Sequence, residues 1–197
     1  FTIHSFPTRR SSDLVVEVTN GNGLGESGED GFFDADQWKN VMLRLSHGFG
    51  PVRVGGFGYT CNSFGVASES PGGRQENKHY FWGVDGTIDV SDILQLNVQY
   101  LVRNDENPWF LPADEAVEVD TKGGLVELIW AVRGQDGRPF VTLLMNMIDS
   151  DVDRYDYMSG TLSFTYLLRR NIRLLTEATY EDERERYDFT AGFISAF

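Results

Sequence analysis

Residues Tyr187 to Phe197 read YDFTAGFISAF, and their two-residue beat sets the fold class. Tyr187, Phe189, Ala191, Phe193, Ser195 and Phe197 fall on one face of an extended segment, while Asp188, Thr190, Gly192, Ile194 and Ala196 fall on the other. Successive side chains of a strand point to opposite faces, so this beat belongs to a β-strand. An aromatic face backed by a mixed one suits a wall between an apolar medium and a polar one.

Applied along the chain, the same reading predicts strands over Val15 to Asn20, Lys39 to Phe49, Val52 to Thr60, His79 to Val90, Ile93 to Arg103, Gly123 to Val132, Phe140 to Asp149, Met158 to Leu168 and Ile172 to Tyr180. Most approach the roughly 9–11 residues that a tilted strand needs to cross a bilayer. The alternation is clearest in Ile93 to Arg103, where Leu94, Leu96, Val98, Tyr100 and Val102 oppose Gln95, Asn97, Gln99 and Arg103. Leu101 breaks it. Two places are ambiguous. Trp38, Val41, Met42 and Leu45 also satisfy helical spacing, and Gly55-Gly56 is a candidate bulge.

The connections alternate between short and long. Short ones fall at Gly50-Pro51, Ser91-Asp92, Gly134 to Pro139 and Arg169 to Asn171; long or acidic ones fall at Gly21 to Trp38, Cys61 to Lys78, Asn104 to Lys122, Ser150 to Tyr157 and Glu181 to Glu185. An antiparallel up-and-down transmembrane β-barrel has this pattern, with short turns in the periplasm and longer loops outside. Tyr80, Trp82, Tyr100, Tyr180 and Tyr187 then fall near the outer rim, and Phe49, Trp130, Tyr166 and Phe197 near the inner one. A soluble β-barrel or sandwich would show the same alternation. Against it, one face of most strands is almost free of charge and carries more large side chains than one small core accommodates.

Composition narrows the function. With 17 basic residues against 30 acidic ones and a net charge of −13, the chain lacks the basic face that nucleic acid requires. Cys61 is the single cysteine, which excludes an intrachain disulfide framework and a CxxCH haem attachment within this sequence. No apolar run is long enough for a transmembrane helix. There is no GxSxG, HExxH or P-loop, and apart from His4 only His47 and His79 are present, so no enzyme is expected.

In a barrel, chemistry belongs to the lumen face and the outer loops. The lumen candidates are Arg44, Arg53, Asp85, Asp89, Arg103, Glu127, Arg173 and Glu177. Both signs occur, which fits either a charged pore lining or paired charges that brace the wall. The loops are acidic: Glu26, Glu29, Asp30, Asp34 and Asp36 in the first, and Asp105, Glu106, Asp114, Glu115, Glu118 and Asp120 in the third. Such a rim concentrates cations. Asp149, Asp151 and Asp153 form a D-x-D-x-D run with the oxygen donors that Ca²⁺ takes. It departs from an EF-hand, because Arg154 replaces the glycine and the distal Glu is missing; a solvated acidic loop is the simpler reading.

Two resemblances add to this. His4 to Leu14, HSFPTRRSSDL, resembles the translation of a sequencing-library adapter, which implies that residues 1–14 are non-native and that residues 15–197 are the C-terminal portion of a larger barrel. The final pair, NIRLLTEATYE at Asn171 to Glu181 and YDFTAGFISAF, resembles the C-terminal hairpin of bacterial porin-like outer-membrane proteins. That resemblance implies an outer-membrane channel for ions or small hydrophilic solutes, without a cofactor and with a periplasmic C-terminus. It also implies that Tyr187, Phe189, Phe193 and Phe197 are read by the barrel-assembly machinery. FWGVDGTIDV followed by LQLNVQYLVRNDENPWF is similar to barrels that sheath multihaem cytochromes, which implies an alternative role as a non-conducting scaffold.

Overall fold

The computed structural model describes residues 12–19, 39–65, 75–133, 138–169 and 172–195. It contains β1 (Ser12–Thr19), β2 (Asn40–Phe49), β3 (Val52–Gly65), β4 (Gln75–Ser91), β5 (Leu94–Asp105), β6 (Val119–Ala131), β7 (Pro139–Ser150), β8 (Tyr157–Arg169), β9 (Ile172–Glu181) and β10 (Arg186–Ser195). The ten strands form one antiparallel sheet in chain order. Among the described residues β1 and β10 do not pair, so the sheet is open.

Every expected strand is present, and several are longer than the apolar beat predicts. β3 runs five residues beyond Thr60, β4 begins at Gln75 instead of His79, β5 ends at Asp105, and β6 starts at Val119. The added residues are mostly polar, and several of their side chains bond to one another across strands, which apolar periodicity does not reveal. The helical alternative at Trp38 to Leu45 is replaced over its described residues by β2, because Val41 to Leu45 pair with Val18 to Leu14 of β1. Ser12, Asp13 and Leu14, inside the adapter-like segment, extend β1 against His47, Ser46 and Leu45. The Gly50-Pro51 turn is formed with Gly50 at φ 64°, a conformation that favours glycine, whereas β3 passes Gly55-Gly56 unbroken.

The chain divides into two compact units. One comprises Phe1–His47, Gly55–Val84 and Leu101–Lys122; the other comprises Gly48–Val54, Asp85–Tyr100 and Gly123–Phe197. Among the described residues of the first, the buried side chains are Asn40, Ser46, Cys61, Ser63, Asn77, His79, Asp105, Asn107 and Val119. The side chains alternating with them on the strands, including Val16, Val18, Val41, Leu43, Tyr80 and Trp82, are exposed. In the second unit Ser159, Thr161, Glu181 and Ala131 are buried, while Leu143, Met145, Met147, Leu162 and Phe164 are exposed.

Both units are therefore inverted relative to a water-soluble sheet, which turns its apolar face inward. Among the described residues three apolar side chains are buried, against ten polar or charged ones.

Candidate functional site

The polar face is the candidate site, and strand parity assigns residues to it. Arg44 lies in step with Asn40 and Ser46, Arg53 with Cys61 and Ser63, and Asp85 and Asp89 with Asn77 and His79. Arg103 shares the face of Asp105, Glu127 that of Val119 and Ala131, and Arg173 and Glu177 that of Glu181. By parity, each of the eight lies on the face of its strand that carries the buried side chains. Several acids there are met by amides of neighbouring strands: Gln95 Nε2 donates to Asp89 Oδ1 at 2.9 Å, and Asn97 Nδ2 donates to Glu127 Oε2 at 2.8 Å.

The densest part lies in the first unit. Asp105, only 3% exposed, accepts from Nε of Arg103 on one oxygen and from a terminal nitrogen of Arg103 on the other at 2.7 Å. Asn77 Nδ2 adds a third bond to Asp105 at 3.0 Å. The side-chain oxygen of Asn77 accepts the Asn107 backbone N–H at 2.9 Å, tying β4 to the loop after β5. Asn107 then shapes that loop, since its side chain accepts from Leu111 N at 2.9 Å and donates to Leu111 O at 2.8 Å. The Arg103 guanidinium lies 5.1 Å from the Phe81 ring centre, a cation–π distance, and His79 meets the same ring edge-on at 5.7 Å. A buried charge is tolerated only when paired and hydrogen-bonded, and Asp105 is both.

Asp105 corrects the expectation of a solvated acid in the third loop. It is the last residue of β5 and buried, whereas Glu106, Asp114, Glu115, Glu118 and Asp120 are exposed as expected. Asn77 and Asn107 are not legible in sequence as site residues; the only signal is an excess of amides near strand ends.

The D-x-D-x-D run does not assemble. Asp149 is exposed near the end of β7, Asp151 lies on the following bend, Asp153 begins a single 3-10 turn, and Asp156 Oδ1 turns back to accept Ser150 N at 2.9 Å. Among the described residues no group of three His, Cys, Asp or Glu side chains is placed to hold a metal ion. The acidic residues expected in the first loop lie outside the described residues.

On the opposite face, Tyr80, Trp82, Tyr100, Tyr187, Phe49 and Trp130 are exposed, and Tyr166 and Tyr180 half-buried. Tyr187 stacks obliquely on Tyr180 at 4.7 Å. Phe189 and Phe193 of β10 are 79% and 72% exposed, a degree that water alone would penalise; Phe197 lies outside the described residues.

No protein-family model, curated protein or solved structure matches the chain. Fold and site together describe an all-β, up-and-down antiparallel sheet with a polar, hydrogen-bonded face and an exposed apolar one.

Proposed function

We propose that the chain forms the wall of an outer-membrane β-barrel that conducts ions or small hydrophilic solutes by passive diffusion. The observation that carries this reading is the inversion of burial, with polar side chains covered and large apolar ones exposed, the latter on all ten strands. A bilayer provides the apolar surroundings that the exposed face needs, and a water-filled lumen suits the Arg, Asp, Glu and amide groups of the other. Because an unpaired strand edge is not tolerated in lipid, the edges of β1 and β10 close on each other or on further strands. Phe49, Trp130 and Tyr187, exposed near strand ends, fit the two headgroup levels.

The test is single-channel recording of purified protein in a planar bilayer. Stepwise conductance in simple salt solution, without any partner protein, is expected. Recovery of the chain as a folded monomer in detergent-free buffer would overturn the membrane assignment, and a silent barrel co-purifying with a haem protein would replace the channel by a scaffold.

A further inference from the structure

The charges of the sheet are sorted by strand end, and the second unit shows this by itself. Its short connections join β2 to β3, β4 to β5, β6 to β7 and β8 to β9. In them, or among the three strand residues on either side, stand Arg53, Arg133, Arg138, Arg169 and Arg173 against Asp89 and Asp92, all exposed. Asp136 and Arg170, in the same connections of the sequence, cancel, so this end carries a net charge of +3. The long connections of the unit join β7 to β8 and β9 to β10. Counted the same way, residues 148–159 and 179–188 hold nine acids and three bases, a net charge of −6.

Local pairing sharpens the contrast. At the acidic end Arg184 is engaged by Glu181 at 3.2 Å and Arg186 by Asp188 at 2.6 Å, while Asp149, Asp151, Asp153 and Asp182 are exposed. At the basic end none of the five arginines forms an ion pair among the described residues. Asp85, Glu127 and Glu177 lie further along their strands and belong to neither pole. From Arg173 to Glu181, β9 covers about 26 Å at roughly 3.3 Å per residue. That exceeds two Debye lengths at about 0.1 M salt, so the two ends act as separate poles. In the first unit the connection between β5 and β6 carries Glu106, Asp114, Glu115 and Glu118 without a base, the same sign as the long connections of the second.

Opposite charge at the two mouths of one pore makes its current depend on direction. A charged mouth raises the local concentration of its counter-ion. A voltage that drives cations in through the acidic mouth drives anions in through the basic one, and both accumulate in the lumen. The reverse voltage draws each ion away from the mouth that concentrates it, and the lumen is depleted of carriers.

Resting on the channel reading above, we propose that the open pore rectifies, passing more current when cations enter from the long-connection end than from the short-turn end. The polarity is a fixed property of the wall and requires no moving part.

The test is the instantaneous open-state current of single channels of the full-length protein at equal and opposite voltages, with potassium chloride on both sides. Each channel is read separately, so mixed insertion directions do not average out. An asymmetry of about twofold is expected in roughly 0.1 M salt, shrinking toward one at roughly 1 M, where the Debye length falls to about 3 Å. Neutralising the basic end by Arg133→Gln, Arg138→Gln and Arg169→Gln together should bring the ratio at low salt closer to one. A symmetric current at low salt, or an asymmetry unchanged by salt or by the three substitutions, would overturn rectification by fixed charge and leave the channel standing. Absence of any current would remove the channel reading and this proposal with it.

Discussion

Two Arg-x-Asp pairs stand on the polar face of the sheet, and their surroundings give the same three-residue pattern different weights. At Arg103 and Asp105 the carboxylate side chain is 5% exposed and shared with Asn77. At Arg186 and Asp188 the pair is as well formed, with a terminal nitrogen of Arg186 2.6 Å from Asp188 Oδ2, but both side chains are half exposed. The first is knitted into β4 and a loop; the second lies on β10, which is exposed along its whole length and, among the described residues, pairs with β9 alone. Geometry of a charge pair is thus a poor guide to its value, because desolvation and the third partner set the energy.

The largest effect is expected for Asp105→Ala, which strips Arg103 of its carboxylate and Asn77 of its acceptor. Partial exposure of Arg103 moderates the loss to about 2–3 kcal/mol, read as a lower urea midpoint at unchanged slope. A midpoint equal to that of the unaltered chain would break the contrast. Asn107→Ala should cost about 1–2 kcal/mol, since it removes the bonds to both polar groups of Leu111. The sharper readout is local: a Glu-specific protease should cleave after Glu115 or Glu118 several times faster, and an unchanged rate would show that Asn107 does not hold the loop. The smallest effect is expected for Asp188→Ala, with the urea midpoint unmoved within error; a clear loss would mean that the edge pair is covered in the assembled protein.

The parts of the fold legible in sequence are those written in apolar periodicity. Leu94 to Val102 and Ile172 to Tyr180 alternate, and both segments lie in strands, β5 and β9, which begin within a residue of the expected starts. Gly50-Pro51 marks a turn because few other residues adopt its backbone. Gln75 to Lys78 carry no such beat, yet they open β4, since Asn77 is buried by bonds to groups about 30 residues further along. Pairing between polar groups depends on register, and register is not encoded in the period of either strand. Asn97 and Glu127 show the same division: alternation places each on the polar face, but that they meet follows only from the β5–β6 register.

The consecutive strand order has a consequence for how such a chain changes in evolution. Since each strand neighbours only its predecessor and successor, two strands and their turn form a self-contained module. Duplicating or deleting one such module widens or narrows the sheet by two inter-strand spacings, about 10 Å, and leaves every other register intact. The width of the sheet can therefore drift by whole hairpins while the polar and apolar faces stay in phase.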